Sequence, residues 1–220
     1  MSINTPSPSV LVEAAVDSFD AAMRAQAAAA HRVELCGPLH DGGTTPSAGL
    51  IARCSEKLLA SVNVLVRPRA GDFVYDDDEI EIMKRDIAVA KELGVDGLAI
   101  GVLTPEGDVD AAKMAELIAV ATPLRVVFHR AFDSVRDQDD ALELLVSLQV
   151  NGVLTSGGAR TAVDGAQKIA SLVHRADSRI RVIAAGSITA ANVRALVRDT
   201  GVTAVHGRAF EGMTAALAAG

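Results

Sequence analysis

Short apolar runs alternate with Ala- and Leu-rich amphipathic stretches from Val10 almost to the end of the chain, and nearly every junction carries Gly, Pro, Asp, Ser or Thr. Apolar runs of this length, followed by a pattern of helical period, are how parallel strands covered on both faces read in sequence. The spacing predicts strands over Val10 to Ala14, Arg32 to Cys36, Val62 to Arg67, Gly97 to Ile100, Arg125 to Phe128, Gly152 to Thr155, Arg181 to Ala185 and Ala204 to His206. Helices are expected over Phe19 to Ala29, Ser47 to Lys57, Asp78 to Leu93, Ala111 to Ala121, Gln138 to Leu148, Thr161 to Ala176 and Thr189 to Asp199. Eight strands with intervening helices argue for an α/β fold of the TIM-type (β/α)8 barrel class. An open doubly wound sheet is the alternative, but no Gly-x-Gly-x-x-Gly loop follows the first strand. No composition break divides residues 10–220, so they are expected to form a single barrel domain behind a disordered N-terminal tail, residues 1–9. Little chain follows His206, so the final helix should be short or missing, and a partner subunit covering the gap would make the protein a homo-oligomer.

A core without tryptophan and with only 3% aromatic residues must be built from Ala, Val, Leu and Ile, the residues that fill closed parallel barrels. The net charge of -7 argues against a nucleic-acid or anionic-membrane partner, so any anion site must be local. No apolar run reaches membrane-span length, and the N-terminal residues lack a signal-peptide pattern, which points to a cytoplasmic protein. Cys36 and Cys54 have neither zinc-ribbon spacing nor a disulfide framework.

Side chains alternate across a strand, so helix-facing valines identify their inward-facing neighbours. That parity turns Glu13, Glu34, Cys36, Asn63, Leu65, Arg67 and His129 into the barrel, with Arg69 at the inner side or rim. A carboxylate inside a barrel needs a partner, and Arg67, Arg69 or Arg130 is expected to supply it. The fifth strand ends in His129, Arg130 and Asp133, at the rim where such folds collect binding and catalytic groups. The last three strands end in Ser156, Gly157 and Gly158, in Gly186 and Ser187, and in Gly207, small residues whose free backbone N–H groups can cradle an anion, with Arg160 and Arg208 nearby. Each residue has a structural reading beside the functional one: an internal ion-pair network for the charges, tight turns for the glycines. All five lysines fall in predicted helices, which argues against Schiff-base chemistry at a strand end. Glu13, Glu34, Asp72, His129, Asp133 and His206 could ligate a metal, but no spacing motif selects one.

Several blocks together resemble one family: Arg32-Val33-Glu34-Leu35-Cys36, then Asp41-Gly42-Gly43-Thr44-Thr45-Pro46-Ser47, Val66-Arg67-Pro68-Arg69-Ala70-Gly71-Asp72-Phe73, Phe128-His129-Arg130-Ala131-Phe132-Asp133 and Val153-Leu154-Thr155-Ser156-Gly157. In order and in kind they are similar to the signature blocks of the copper homeostasis protein CutC family. The resemblance implies a cytoplasmic barrel, oligomeric and linked to copper, without implying a settled reaction. Ala70 stands where family members usually carry glycine, and this chain stops sooner after His206 than they do.

On the copper reading the cofactor is cuprous ion, which prefers thiolate and thioether ligands, with Cys36 as the main ligand and Cys54 at most an accessory. The rival reading is an enzyme acting on a small anionic or phosphorylated substrate. There Glu34 and His129 supply acid/base chemistry, and Arg67, Arg69, Arg130 and the glycine-rich strand ends hold the anion.

Overall fold

The computed structural model describes residues 10–219, so the tail expected over residues 1–9 lies outside the described residues. Eight strands, β1 (Leu11–Val16), β2 (Arg32–Leu35), β3 (Ser61–Leu65), β4 (Gly97–Ile100), β5 (Arg125–Phe128), β6 (Gly152–Thr155), β7 (Arg181–Ala185) and β8 (Ala204–Gly207), pair in parallel and in sequence order. The sheet closes where β8 pairs with β1. Around it lie α1 (Phe19–Ala27), α2 (Ala48–Lys57), α3 (Asp77–Glu92), α4 (Ala111–Ala121), α5 (Gln138–Ser147), α6 (Ala166–Ala176), α7 (Val193–Thr200) and α8 (Met213–Ala218).

Alternation divides the core into two layers. Val33 and Leu35, Val62 and Val64, Leu98 and Ile100, and Val126 and Phe128 pack outward against the helices. Inside, Val127, Leu154, Ile183, Ala185 and Ala204 form one apolar cluster, and Cys36, Leu65 and Ala99 a second. Each fully buried Leu, Ile or Phe contributes about 1.5–3 kcal/mol relative to exposure, so the outer layer dominates the driving force. The inner layer also contains buried polar groups, among them Glu13, Arg32, Glu34 and Asn63.

Capping explains where the predicted boundaries move. The first five helices start at side-chain caps, Ser18, Ser47, Asp76, Asp110 and Asp137. By contrast α6 begins at Ala166 rather than Thr161, because the intervening residues make local bonds: Thr161 Oγ1 lies 2.7 Å from Asp164 Oδ2, and the Ala162 N–H donates to Gly186 O at 3.0 Å. Similarly α7 begins at Val193 rather than Thr189, since Asn192 Oδ1 accepts the Thr189 N–H at 2.9 Å while its amide donates to Ser187 O. The first strand runs on to Val16, which pairs with Leu35. The eighth helix is a stub of 6 residues whose first residue, Met213, is the one it buries.

Candidate functional site

A cavity of about 910 Å³ opens at the C-terminal end of the barrel. Of the residues singled out in the sequence, Glu34, Cys36, Arg67, His129, Arg130, Gly186, Ser187 and Gly207 line it. Asp133, Arg160, His206 and Arg208 line it as well.

Sheet register assembles the floor. Glu13 on β1 stands opposite Arg32 on β2 and opposite His206 on β8. Both of its oxygens are thereby occupied: Arg32 Nη1 donates to Oε2 at 2.9 Å, and Oε1 lies 2.8 Å from His206 Nδ1. The partner of the buried carboxylate is thus Arg32, not Arg67, Arg69 or Arg130, because Arg32 shares the inward parity of Glu34 and the register of Glu13. Burial alone would raise the Glu13 carboxyl, but the His206 hydrogen bond and the His206 and Arg32 charges outweigh it and hold it below its usual value. His206 moves the other way: burial disfavours its cation, yet Glu34 and Glu13 together keep its pKa raised. With Nδ1 turned to Glu13, the His206 Nε2 atom is the one available to a ligand.

Glu34 differs from Glu13. It is 4% exposed, its Oε2 has no partner among the described residues, and its Oε1 meets only the Cys36 thiol at 3.6 Å. Burial, with the Glu13 charge adding to it and the charge of His206 opposing it, pushes Glu34 up to about 7. Glu13, Glu34 and His206 offer ligand atoms within 4.8 Å of one another, the one such grouping of three among the described residues. The Cys36 thiol is pushed well above its ordinary value by burial and then by Glu34, so it is held as a thiol rather than a thiolate.

The opposite wall carries Arg67, Phe73 and His129. Arg67 is buried and donates to Gly43 O at 2.9 Å and Gly71 O at 2.7 Å, tying two loops together while its guanidinium lies over Phe73. No carboxylate lies within ion-pair distance of Arg67, Arg160 or Arg208 among the described residues, so three cationic groups face the cavity without an acidic partner. Burial, followed by the Arg67 charge, lowers His129 to about 3, which makes it a neutral imidazole.

Five of the sequence-derived candidates lie elsewhere. Arg69 binds Glu79 at 2.5 Å and Asp72 at 3.0 Å and lies over Tyr75. Cys54 is buried among the apolar residues between barrel and helices, in the layer opposite to that of Cys36. The turn after β6 is already filled by the protein's own carboxylate: Asp133 accepts the Ser156 N–H at 2.9 Å, the Gly158 N–H at 3.1 Å and the Thr155 hydroxyl at 2.7 Å. The Gly157 N–H turns to Thr155 Oγ1 at 2.8 Å. Ser156, Gly157 and Gly158 therefore fold around an internal anion. The sequence offers His206 only as one of six possible metal ligands and does not mark Arg32 at all, although the same parity that turns Glu13 inward places both on the inner face.

Comparisons with known proteins agree with this architecture. The sequence model described as the CutC family matches residues 10–211. A human protein named "Copper homeostasis protein cutC homolog" is 44% identical over 196 residues, 89% of this chain and 72% of its own length. A "family protein CutC" from Xanthomonas campestris pv. campestris (strain 8004) is 44% identical over 198 residues, 90% of this chain and 82% of its own length. A crystal structure of CutC from Streptococcus agalactiae superposes with a TM-score of 0.88 at 36% identity, covering 91% of this chain and 99% of that one. An aldolase, QR15, shares the fold at a TM-score of 0.73 and 10% identity, with 96% of each chain covered. With a barrel of this topology, a family match across nearly all the described residues and relatives of this identity, the chain belongs to the CutC family.

Proposed function

We propose that the barrel mouth binds a small anionic ligand and exchanges a proton with it through Glu34. One observation carries this reading: Glu34 Oε2 is buried at the cavity floor with no partner, on a group whose pKa lies at about 7. A general acid or base works best when its pKa lies near the working pH. Arg67, Arg160 and Arg208 supply the attraction for the anion, and the Glu13–His206 pair supplies a second proton-carrying group beside Glu34. His206 is held by Glu13 as a metal-bound or catalytic imidazole is held by a carboxylate, which fixes the tautomer.

Thermal melting with orthophosphate tests the reading, because a ligand that binds only the folded state raises the melting temperature. Millimolar phosphate should raise it for the wild-type protein, and Glu34→Gln should change the pH dependence of that rise. A melting temperature unmoved by phosphate, sulfate and small carboxylates would sink the proposal.

The second reading is copper, which the names of the relatives favour and which Cys36 could serve as a ligand at the same mouth. The residues fit it only in part. Cuprous ion prefers sulfur, yet Cys36 is the only sulfur among the cavity-lining residues, and its thiol is held protonated. The carboxylate and imidazole set of Glu13, Glu34 and His206 suits a harder ion. Copper homeostasis and a cytoplasmic location come to this chain as part of this reading, as does self-association, which sedimentation velocity would measure. Cuprous-ion binding against a competing chelator should weaken substantially in Cys36→Ser; equal binding by both proteins would remove Cys36 as a ligand.

A further inference from the structure

His129 is a buried cavity residue whose tautomer is set by a backbone contact. Its Nδ1 accepts the Ala131 N–H at 3.2 Å, so the ring proton of the neutral imidazole sits on Nε2. That Nε2 has no partner among the described residues, although the side chain is only 5% exposed and lines the cavity. A buried N–H without an acceptor keeps its full desolvation penalty, so a residue of the cavity wall left this way is placed to meet a ligand oxygen.

The surroundings hold the ring in place. Its Cε1 and Nδ1 edge packs onto Gly101, where an added Cβ would come within 2.5 and 2.6 Å of those atoms. Phe73 flanks it with ring centroids 5.0 Å apart, and the His129 backbone N–H is tied to Ile100 O at 3.0 Å. Arg67 on the neighbouring wall disfavours a second positive charge, so the imidazole stays neutral and cannot deliver a full proton near neutral pH.

We propose that His129 Nε2–H is a fixed hydrogen-bond donor to an oxygen of the ligand, and that the ligand is a small anion that also carries a carbonyl or carboxylate oxygen at this point. The proposal rests on the anion reading above and names the ligand's second functional group. A neutral N–H donor preorganised in a low-dielectric wall stabilises negative charge growing on such an oxygen without protonating it. A phosphate or sulfate alone would satisfy the arginines and leave His129 without an acceptor.

Two probes separate the claims: 2-phosphoglycolate, which has a phosphate and a carboxylate, and ethyl phosphate, which lacks the second group. Wild-type protein should bind 2-phosphoglycolate more tightly by roughly 10- to 100-fold, the usual size of one hydrogen bond to a charged group. In nitrogen-15 NMR, His129 should show the Nε2–H tautomer without ligand, and its Nε2 proton should move downfield with 2-phosphoglycolate but not with ethyl phosphate. His129→Phe should lose the preference and keep the ethyl phosphate affinity. His129→Gln, whose amide can place an acceptor and a donor at the two ring-nitrogen positions, should restore part of it. Equal binding of the two probes, or an Nδ1–H tautomer, would overturn the proposal while leaving the anion reading intact. Failure of both probes to bind would overturn the two together. The NMR measurement needs only wild-type protein, so a variant that does not fold leaves the test standing.

Discussion

Glu13 Oε1 lies 2.8 Å from His206 Nδ1, and this contact joins the first strand to the last across the seam where the barrel closes. The same carboxylate takes Arg32 from the next strand on its other oxygen. One buried anion therefore ties three strands together, and its two short contacts are to the residues that the sheet places opposite it, with Asn63 of β3 adding a longer one at 3.4 Å.

The first prediction concerns that arrangement. Arg32→Leu leaves Glu13 with His206 and a long 3.4 Å hydrogen bond from Asn63 Nδ2, in a site 0% exposed. Removing one partner of a buried ion pair costs about 3–5 kcal/mol, because the remaining charge is left uncompensated. Urea unfolding should show a loss of that size at neutral pH. An unchanged midpoint would mean that Arg32 does not compensate the carboxylate.

The second prediction uses the opposite displacements of Glu34 and His129. Glu34 titrates at about 7 when folded and near 4.5 otherwise, so its stabilisation is complete below 4.5 and is lost as pH rises through 7. His129 titrates at about 3 when folded and near 6.5 otherwise, so its stabilisation is present above 6.5 and is lost as pH falls towards 3. Between 4.5 and 6.5 the two oppose each other. Relative to wild type, Glu34→Gln should gain stability as pH rises through this window, with a slope of at most about 1.4 kcal/mol per pH unit. His129→Gln should change in the other direction. Chemical denaturation across this range would contradict the assignment if both variants followed the wild-type curve.

Which parts of this site could be read from the chain follows from how far each interaction reaches. The βα alternation and the inward parity of Glu13, Glu34 and Cys36 are local patterns, and period-2 alternation in Arg32-Val33-Glu34-Leu35-Cys36 is enough to orient them. Arg32 and His206 obey the same parity. What singles them out is pairing with Glu13, and that depends on the register of β1 against β2 and β8, which no local pattern states. The helical pattern starts α6 and α7 too early because Thr161, Asp164 and Asn192 bond to nearby backbone and side chains and delay the helix. The glycine-rich turn after β6 reads as a cradle for an anionic ligand, but its donors hold a carboxylate of the protein itself. Its anion, Asp133, comes from the loop after β5, a distance in sequence that composition does not bridge.

That internal anion supports a third prediction. Asp133→Ala removes the acceptor shared by the N–H groups of Ser156 and Gly158 and the Thr155 hydroxyl. Each buried donor left without a partner costs about 1–3 kcal/mol, so the variant should melt well below wild type. The vacated turn is a set of converging donors beside Arg130, so sulfate should recover more melting temperature in Asp133→Ala than it adds to wild type. Equal sulfate responses would show that the turn rearranges once Asp133 is gone.

The last prediction separates attraction at the mouth from the structural role of its arginines. Arg67 is a poor probe, because its guanidinium ties Gly43 to Gly71 and its loss would disturb both loops. Arg160 and Arg208 are exposed, line the cavity and have no carboxylate partner among the described residues. Exposed charges contribute little to folding, so Arg160→Gln and Arg208→Gln, singly or together, should leave the urea midpoint within about 0.5 kcal/mol of wild type. If they draw an anion into the mouth, the double variant should bind phosphate roughly 5- to 20-fold more weakly at low salt, at about 1 kcal/mol or less per exposed charge. The deficit should narrow as ionic strength rises and the Debye length falls from about 30 Å at 0.01 M to about 8 Å at 0.15 M. Arg198→Gln serves as the control: it lies on α7, pairs with Asp199 and is absent from the cavity lining, so it should leave phosphate binding unchanged. A double variant that binds phosphate like wild type at every salt concentration would assign the attraction to Arg67 and the backbone alone.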